Sequence, residues 1–259
     1  VTDRAPGFRG GALVTGAAHR IGRALALSLA EAGYAVAVHH RDDEADAQAL
    51  VDEIRAAGGT AAAVRADLAI EPQTKALIGQ AADAVGPLTL LVNNASTFRY
   101  DHAGALDRAT WDAHFEPNLR SPLVLAEGFA AQAPFDDFGG DPQIINLLDQ
   151  RVWKPTPQFF SYTLTKTALW TATRMLAQAL APRIRVNAIG PGPTLPNAIE
   201  GEAGLQAEAA AIPLQRRTEL ADITGAARYL IDARAVTGQM IAVDGGQHLA
   251  WKTPDILDI

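Results

Sequence analysis

Short, almost uninterrupted apolar runs alternate along the chain with longer stretches whose apolar positions recur every three or four residues. The runs are Ala12–Thr15, Ala35–Val38, Ala61–Val64, Leu88–Asn93, Ile144–Leu148, Ile184–Ile189 and Met240–Val243. Runs this short and this apolar predict strands covered on both faces. The helical periodicity falls near Ile21–Ala32, Glu44–Ala57, Pro72–Val85, Trp111–Ala131, Tyr162–Ala181 and Glu219–Ile231. Such alternation implies parallel βαβ units, and so an α/β fold with a doubly wound, parallel, seven-stranded sheet and helices on both faces. No linker, charge block or internal repeat interrupts it, so residues 1–259 are expected to form a single domain.

Three irregular stretches break the pattern: Ser96–Ala109, Ala133–Pro142 and Gly190–Thr218. Ligands of such sheets bind outside the carboxyl ends of the strands. The first and third stretches leave those ends and are the expected pocket walls. The loop at about 190–218 carries a small alanine-rich helix candidate and reads either as a substrate lid or as a surface excursion.

Composition narrows the class. At 259 residues, 48% hydrophobic and 20% charged, the chain reads as soluble and globular. No apolar run approaches a membrane span, and a net charge of −7 argues against nucleic acid and anionic membranes as partners. With no cysteine there is no disulfide framework and no thiolate metal site. The histidines, including the pair His39 and His40, lack metal-site spacing and are expected at the surface or at a cofactor's edge, with no metal bound. Val1–Pro6 lacks a signal-peptide core. A trimmed start and a cytoplasmic location are the expectation.

Candidate chemistry sits at both ends. Gly10–Gly16 reads as a strand running into a glycine turn, followed by Arg20, Ile21, Gly22 and an amphipathic helix. In that context a glycine fingerprint signals dinucleotide binding, because backbone N–H groups and the helix dipole attract a pyrophosphate. Further along, Tyr162 and Lys166 lie one helical turn apart. An ammonium in that position would pull the phenol's pKa down from about 10 and ready it for proton exchange.

Taken in order, Thr15-Gly16 with Gly22, Asp67-Leu68, Asn93-Asn94-Ala95, Asn118, Tyr162 with Lys166, Arg185-Val186-Asn187, Pro191-Gly192 and Val243-Asp244-Gly245-Gly246 resemble the short-chain dehydrogenase/reductase family over essentially the whole chain. The resemblance implies a Rossmann-type fold, an NAD(P)-dependent oxidoreductase, usually a homotetramer, and an Asn, Ser, Tyr, Lys catalytic group. Three departures are similar to the pteridine reductase branch, which includes dihydromonapterin and dihydrofolate reductases. Arg20 replaces a turn glycine, Asp149 stands where serine is usual, and Asn93-Asn94-Ala95-Ser96 precedes Phe98. The loop after Gly192 and the tail Trp251–Ile259 match nothing in that pattern.

The cofactor choice follows from charge. An NAD site needs a carboxylate at the end of the second strand. Here His40 and Arg41 stand there, and arginine suits a 2′-phosphate, which predicts NADPH. The alternative pairs Arg41 with Asp42 or Asp43. Arg20 is too large to replace glycine on turn geometry alone, so its side chain is expected to face cofactor or substrate. Asp67, with Leu68, is expected at the adenine, Asn93 at the ribose or holding its strand, and Ala95, Ser96, Pro191 and Gly192 along the rest of the cofactor.

Tyr162 is the expected proton donor, and Lys166 its tuner and the grip on the nicotinamide ribose. Asn118 is either a water-mediated proton relay or a helix-kink residue between Pro117 and Pro122. Asp149 directs the substrate reading. Ionised, it repels a developing oxyanion; it suits the N–H groups of an amino-pyrimidinone, and burial would raise its pKa enough for it to act as an acid. The alternative is a loop cap. Phe98 offers a stacking face for a pterin or plain core packing, and Ser96 would touch pterin or pyrophosphate. Trp153, Phe159 and Phe160 would line the pocket or an interface. Three functions stay open: reduction of a dihydropterin or dihydrofolate, reduction of a ketone, sugar or acyl thioester, or a catalytically idle NADP-binding sensor or scaffold.

Overall fold

The computed structural model describes residues 8–132, 141–196 and 201–251. Most of the stretch 133–142, part of the loop at 190–218 and the whole of the tail after Trp251 lie outside these residues.

All seven expected strands form: β1 (Gly10–Val14), β2 (Tyr34–His40), β3 (Thr60–Arg65), β4 (Leu88–Asn93), β5 (Gln143–Leu147), β6 (Arg185–Pro191) and β7 (Met240–Val243). They build one sheet in the order β3-β2-β1-β4-β5-β6-β7, with every neighbouring pair parallel. Eight α-helices are described: α1 (Arg20–Glu31), α2 (Glu44–Ala56), α3 (Glu71–Val85), α4 (Arg108–Phe115), α5 (Ser121–Ala130), α6 (Phe160–Leu180), α7 (Gly201–Ala211) and α8 (Leu220–Asp232). None is long and apolar enough to cross a membrane.

Side-chain alternation divides the core between the faces of the sheet. Ala12 and Val14 of β1 pack with Leu25 and Leu29 of α1, Leu50 and Ile54 of α2, and Ile223 and Leu230 of α8. Leu13, between them, packs with Leu77 of α3, Leu125 and Phe129 of α5, and Ala177 of α6. Full burial of each such leucine contributes roughly 1.5–3 kcal/mol, so a strand covered on both faces needs apolar residues at consecutive positions.

Two features depart from expectation. The single helix anticipated over Trp111–Ala131 is α4 and α5 joined by a π-helical segment, Glu116–Arg120. Pro117 removes a backbone donor there, and the wider turn admits the buried Asn118. The strand expected to end at Ile189 continues as β6 to Pro191, which pairs with Val243. The alanine-rich helix of the third irregular stretch is α7.

Several of the family-like residues hold the frame. Arg185 donates to Leu230 O (2.9 Å), Ile231 O (3.0 Å) and Val236 O (3.0 Å) at the end of α8 and pairs with Asp141 (2.8 Å). A guanidinium there satisfies carbonyls that the helix cannot. Asn187 donates to Val236 O (2.8 Å) and accepts from Gln239 N (3.0 Å), tying β6 to the approach to β7.

Candidate active site

The strand order reverses between β1 and β4, and a crevice of about 560 Å³ opens at the carboxyl ends there. The switch point is stitched by side chains. Thr15 Oγ1 accepts from Asn94 N (2.9 Å) and Ala95 N (3.0 Å). Asn94 Nδ2 donates back to Thr15 O (2.9 Å) and Gly16 O (3.0 Å). Gly16 takes φ +60°, and a Cβ on Gly22 would lie 2.1 Å from Gly16 O, so α1 can approach this turn only with glycine at 22.

Gly16, Arg20, Ile21, Gly22, His40, Arg41, Asp67, Leu68, Ala95 and Ser96 all line the crevice, as does Asn94. Asn93 does not. Its amide turns inward and donates to Asn146 (2.8 Å), which in turn donates to Thr173 (2.9 Å). Asn93 is the last residue of β4 and holds its strand, while Asn94, just past the strand's end, is turned toward Thr15 and Gly16 and reaches the crevice. Asp67 accepts from Ala69 N (2.9 Å), which shapes the turn after β3.

The two basic residues have protein partners. Arg41 Nε donates to Asp42 (2.6 Å), an exposed pair, so the charge expected for a phosphate is shared with a neighbouring carboxylate. Arg20 adopts φ +53°, the conformation a glycine would hold, and donates to Pro196 O (2.9 Å) and Leu195 O (3.3 Å). It bridges the glycine turn to the loop after β6.

Of the two places expected for the histidines, the surface and the cofactor's edge, His39 takes the second, lining the crevice from within the sheet. It is 2% exposed, because β2 is covered on both faces. Its Nδ1 accepts from Gly16 N (2.9 Å), and Nε2, carrying the proton, faces Ala66 O (3.1 Å). Burial pushes its pKa down to about 4, so the ring is neutral and staples the glycine turn to β2 and β3. His40 is equally buried, and its Nδ1 finds no partner. His19, Asp43 and Asp46 gather within 4.8 Å at exposed positions, and nothing beyond their proximity marks a metal site.

A second cavity of about 190 Å³ shares Arg20, Ile21, Asn94 and Ser96 with the crevice and is closed by Asp149, Tyr162, Lys166, Pro191 and Gly192. A Cβ on Gly192 would lie 2.6 Å from Asp244 Cα, so this corner also requires glycine. Tyr162 donates its hydroxyl to Asp149 Oδ2 (3.0 Å). Asp149 is at once a cap, its Oδ1 accepting from Arg151 N (2.8 Å), and an ion-pair partner of the Arg151 guanidinium (3.5 Å).

The lysine effect expected on Tyr162 is overturned. Burial, and next the Asp149 carboxylate, hold the phenol well above its usual 10, against the opposing pull of Arg151 and Ser96. Lys166 lies 5.7 Å from the ring centroid and donates to Leu147 O (2.8 Å). Burial lowers its own pKa to about 8, with Asp149 acting in the opposite sense. Desolvation therefore outweighs the attraction that the four-residue spacing suggested.

Asn118 and Phe98 make contacts of the structural kind that stood as the alternative for each. Asn118 accepts from Thr97 N (2.7 Å) and donates to Thr97 O (2.9 Å) and Thr165 Oγ1 (3.4 Å), a set that holds the segment after β4 and leaves Lys166 to other partners. Phe98 stacks on Phe159 (4.2 Å between centroids) and meets Tyr162 edge-on (4.7 Å). One of its faces is thus covered. Trp153 packs edge-on to Trp170 and His248. Arg151, which spacing did not single out, lies 5.8 Å from the Phe98 centroid and 5.3 Å from that of Phe159. Its only signal in the sequence was a position two residues after Asp149, within capping reach.

Residues 16–248 match the family described as enoyl-(acyl carrier protein) reductase. An uncharacterized oxidoreductase of Methylorubrum extorquens is 37% identical over 243 residues, 91% of this chain and 96% of that protein. The 3-oxoacyl-[acyl-carrier-protein] reductase FabG of Staphylococcus aureus is 34% identical over 244 residues, 92% of this chain and 98% of its own. The crystal structure of FolM alternative dihydrofolate reductase 1 from Brucella canis, complexed with NADP, superposes with a TM-score of 0.91 at 50% identity, covering 97% of this chain and 98% of that one. A seven-stranded parallel sheet with its crevice at the strand switch, and relatives matched over nearly their full lengths, establish that this chain belongs to the short-chain dehydrogenase/reductase family, with FolM-type, pteridine reductase-like enzymes among its close structural neighbours.

Proposed function

We propose that the protein is an NADPH-dependent reductase of a dihydropterin or dihydrofolate, with Tyr162 as the proton donor. One observation carries this reading: the Asp149 carboxylate accepts the Tyr162 hydroxyl at 3.0 Å where a neutral serine is usual.

The cofactor fits the residues present. Gly16 and Gly22 form a cradle that a Cβ would fill, at the N-terminus of α1, where an anion is favoured. Arg41 and Arg20 lie beside it, the first paired with the exposed Asp42 and the second bonded to the half-buried Leu195 and Pro196 carbonyls, bonds that a phosphate can replace. When bound, NADPH supplies the hydride. NADP in the Brucella canis FolM structure supports the same choice.

The chain's own residues handle the proton. Burial and the Asp149 carboxylate favour the protonated phenol of Tyr162, so it enters as an acid. Lys166, buried beside the ring, compensates the charge left when that proton departs. Asp149 accepts N–H groups of an amino-pyrimidinone ring, and ionised in the same place it would repel the oxyanion of a ketone. Arg151 offsets the charge of Asp149 between turns. Asn118 is a positioning residue in this scheme.

Reduction of a carbonyl or acyl thioester is the second reading, supported by the FabG relative and by the family's description. NADPH consumption by purified protein, with dihydropterins, dihydrofolate and an acetoacetyl thioester, separates the two. Turnover of pterins or dihydrofolate is expected; turnover of the thioester alone overturns the proposal. As an assembly we propose a homotetramer of one-domain chains in the cytoplasm, tested by light scattering and fractionation.

A further inference from the structure

Beside Tyr162 lies a buried polar chain that the scheme above leaves unused. Asp101 comes from the segment after β4, His114 from α4 and Ser161 from the first turn of α6, and they are 4%, 0% and 0% exposed. Ser161 N lies 3.2 Å from each Asp101 carboxylate oxygen, and Ser161 Oγ makes a short hydrogen bond to Asp101 Oδ2. Phe160 N donates to Asp101 O (3.4 Å). A carboxylate at the start of a 21-residue helix also meets the positive end of its dipole.

The direction of the chain is determined by its ends. His114 Nε2 faces Arg99 N at 3.0 Å, and a backbone N–H can only donate. The ring proton therefore sits on Nδ1, which lies 2.7 Å from Ser161 Oγ. Ser161 accepts it and passes its own hydrogen to Asp101. Each group has one workable role, and that set requires a neutral imidazole. The ring of His114 also stands edge-on to Tyr162, with centroids 6.0 Å apart.

We propose that His114 is a positioning residue for Tyr162 that works only as the neutral Nδ1–H imidazole. The chain from Arg99 through His114 and Ser161 to Asp101 would then lock the segment carrying Ser96 and Phe98 to the first turn of the helix carrying Tyr162. Protonation puts a hydrogen on Nε2 against the Arg99 N–H and breaks the chain there. The groups facing the ring are Asp101 and Arg99 from the loop and Ser161 and Tyr162 from α6. Burial disfavours the charged ring most, Asp101 favours it less strongly and Arg99 adds to the disfavour, so the balance lies below the ordinary 6.5. Loss of the chain thus belongs to acid conditions. The inference rests on Tyr162 as proton donor and is independent of which substrate receives the proton.

The test combines kinetics with the state of the ring. On whichever substrate the NADPH-consumption panel selects, kcat of the wild type should fall below pH 6.5 along with the titration of His114 followed by 15N NMR. At pH 7 the spectrum should report the Nδ1–H tautomer. His114→Gln should lower kcat about tenfold and abolish that acid limb, with the NADPH dissociation constant within about twofold of wild type. An unchanged acid limb in the variant, a cofactor constant rising in step with the loss of kcat, or an Nε2–H tautomer overturns the inference. The NMR readout on wild-type protein stands even where the variant fails to fold. A panel in which only the thioester reacts removes the pterin reading and leaves this one to be judged by the same profile.

Discussion

The two walls of the crevice are built differently. On the β1–β3 side the geometry is a matter of backbone: Gly16 and Gly22 in contact, Thr15 and Asn94 stitching two loops, and a neutral His39 holding the glycine turn. On the β5–β6 side it is a matter of charge: Asp149, Arg151, Tyr162 and Lys166 lie largely out of water, each altering the proton affinity of Tyr162 or depending on a partner. The first wall is tuned by what fits and the second by what ionises. A mutation on the first should therefore act on binding and stability, and one on the second on the chemical step.

The largest expected effect breaks the second wall. Tyr162→Phe removes the acid and should reduce kcat by about 10²–10⁴-fold, while fluorescence titration still finds NADPH binding near the wild-type constant. A loss shared equally between kcat and cofactor affinity would dissolve the distinction between the walls.

Next is the pH dependence of the first wall. His39 has a folded pKa of about 4 against an ordinary 6.5, so the unfolded chain takes up the proton first as pH falls. Stability is fully present above 6.5 and is lost between 6.5 and about 4, by roughly 3 kcal/mol at about 1.4 kcal/mol per pH unit. Urea titrations across that range check this, with His39→Gln as the reference in which the slope should flatten.

The smallest effect sharpens the comparison. Arg41→Ala should raise the NADPH dissociation constant about tenfold, as expected for one charge-assisted hydrogen bond less its existing pair with Asp42, and leave NADH unaffected. Equal weakening of both cofactors would mean that Arg41 serves the fold of its turn.

Much of this was readable from the chain. All seven strands appear where apolar runs occur, because strands covered on both faces cannot hide polar residues. The glycine turn was legible because close backbone approach leaves no room for a Cβ. Other features were not. Asn93 and Asn94 are chemically identical, and only where β4 ends, with the partners each finds across the fold, decides which one faces the crevice. Phe98 finds Phe159 from 61 residues away, and Arg20 reaches carbonyls 175 and 176 residues on, contacts no local pattern encodes.

Periodicity, glycine placement and a Tyr–Lys pair one turn apart sufficed to specify the architecture, the crevice and the pair of side chains that line its inner cavity, since each depends on neighbours in sequence. The sign of the Tyr162 shift, the neutral state of His39 and the joining of Asp149 to Tyr162 required the folded molecule. Proton affinity is set by burial and by charges brought together across the fold, and neither quantity exists until distant segments have packed.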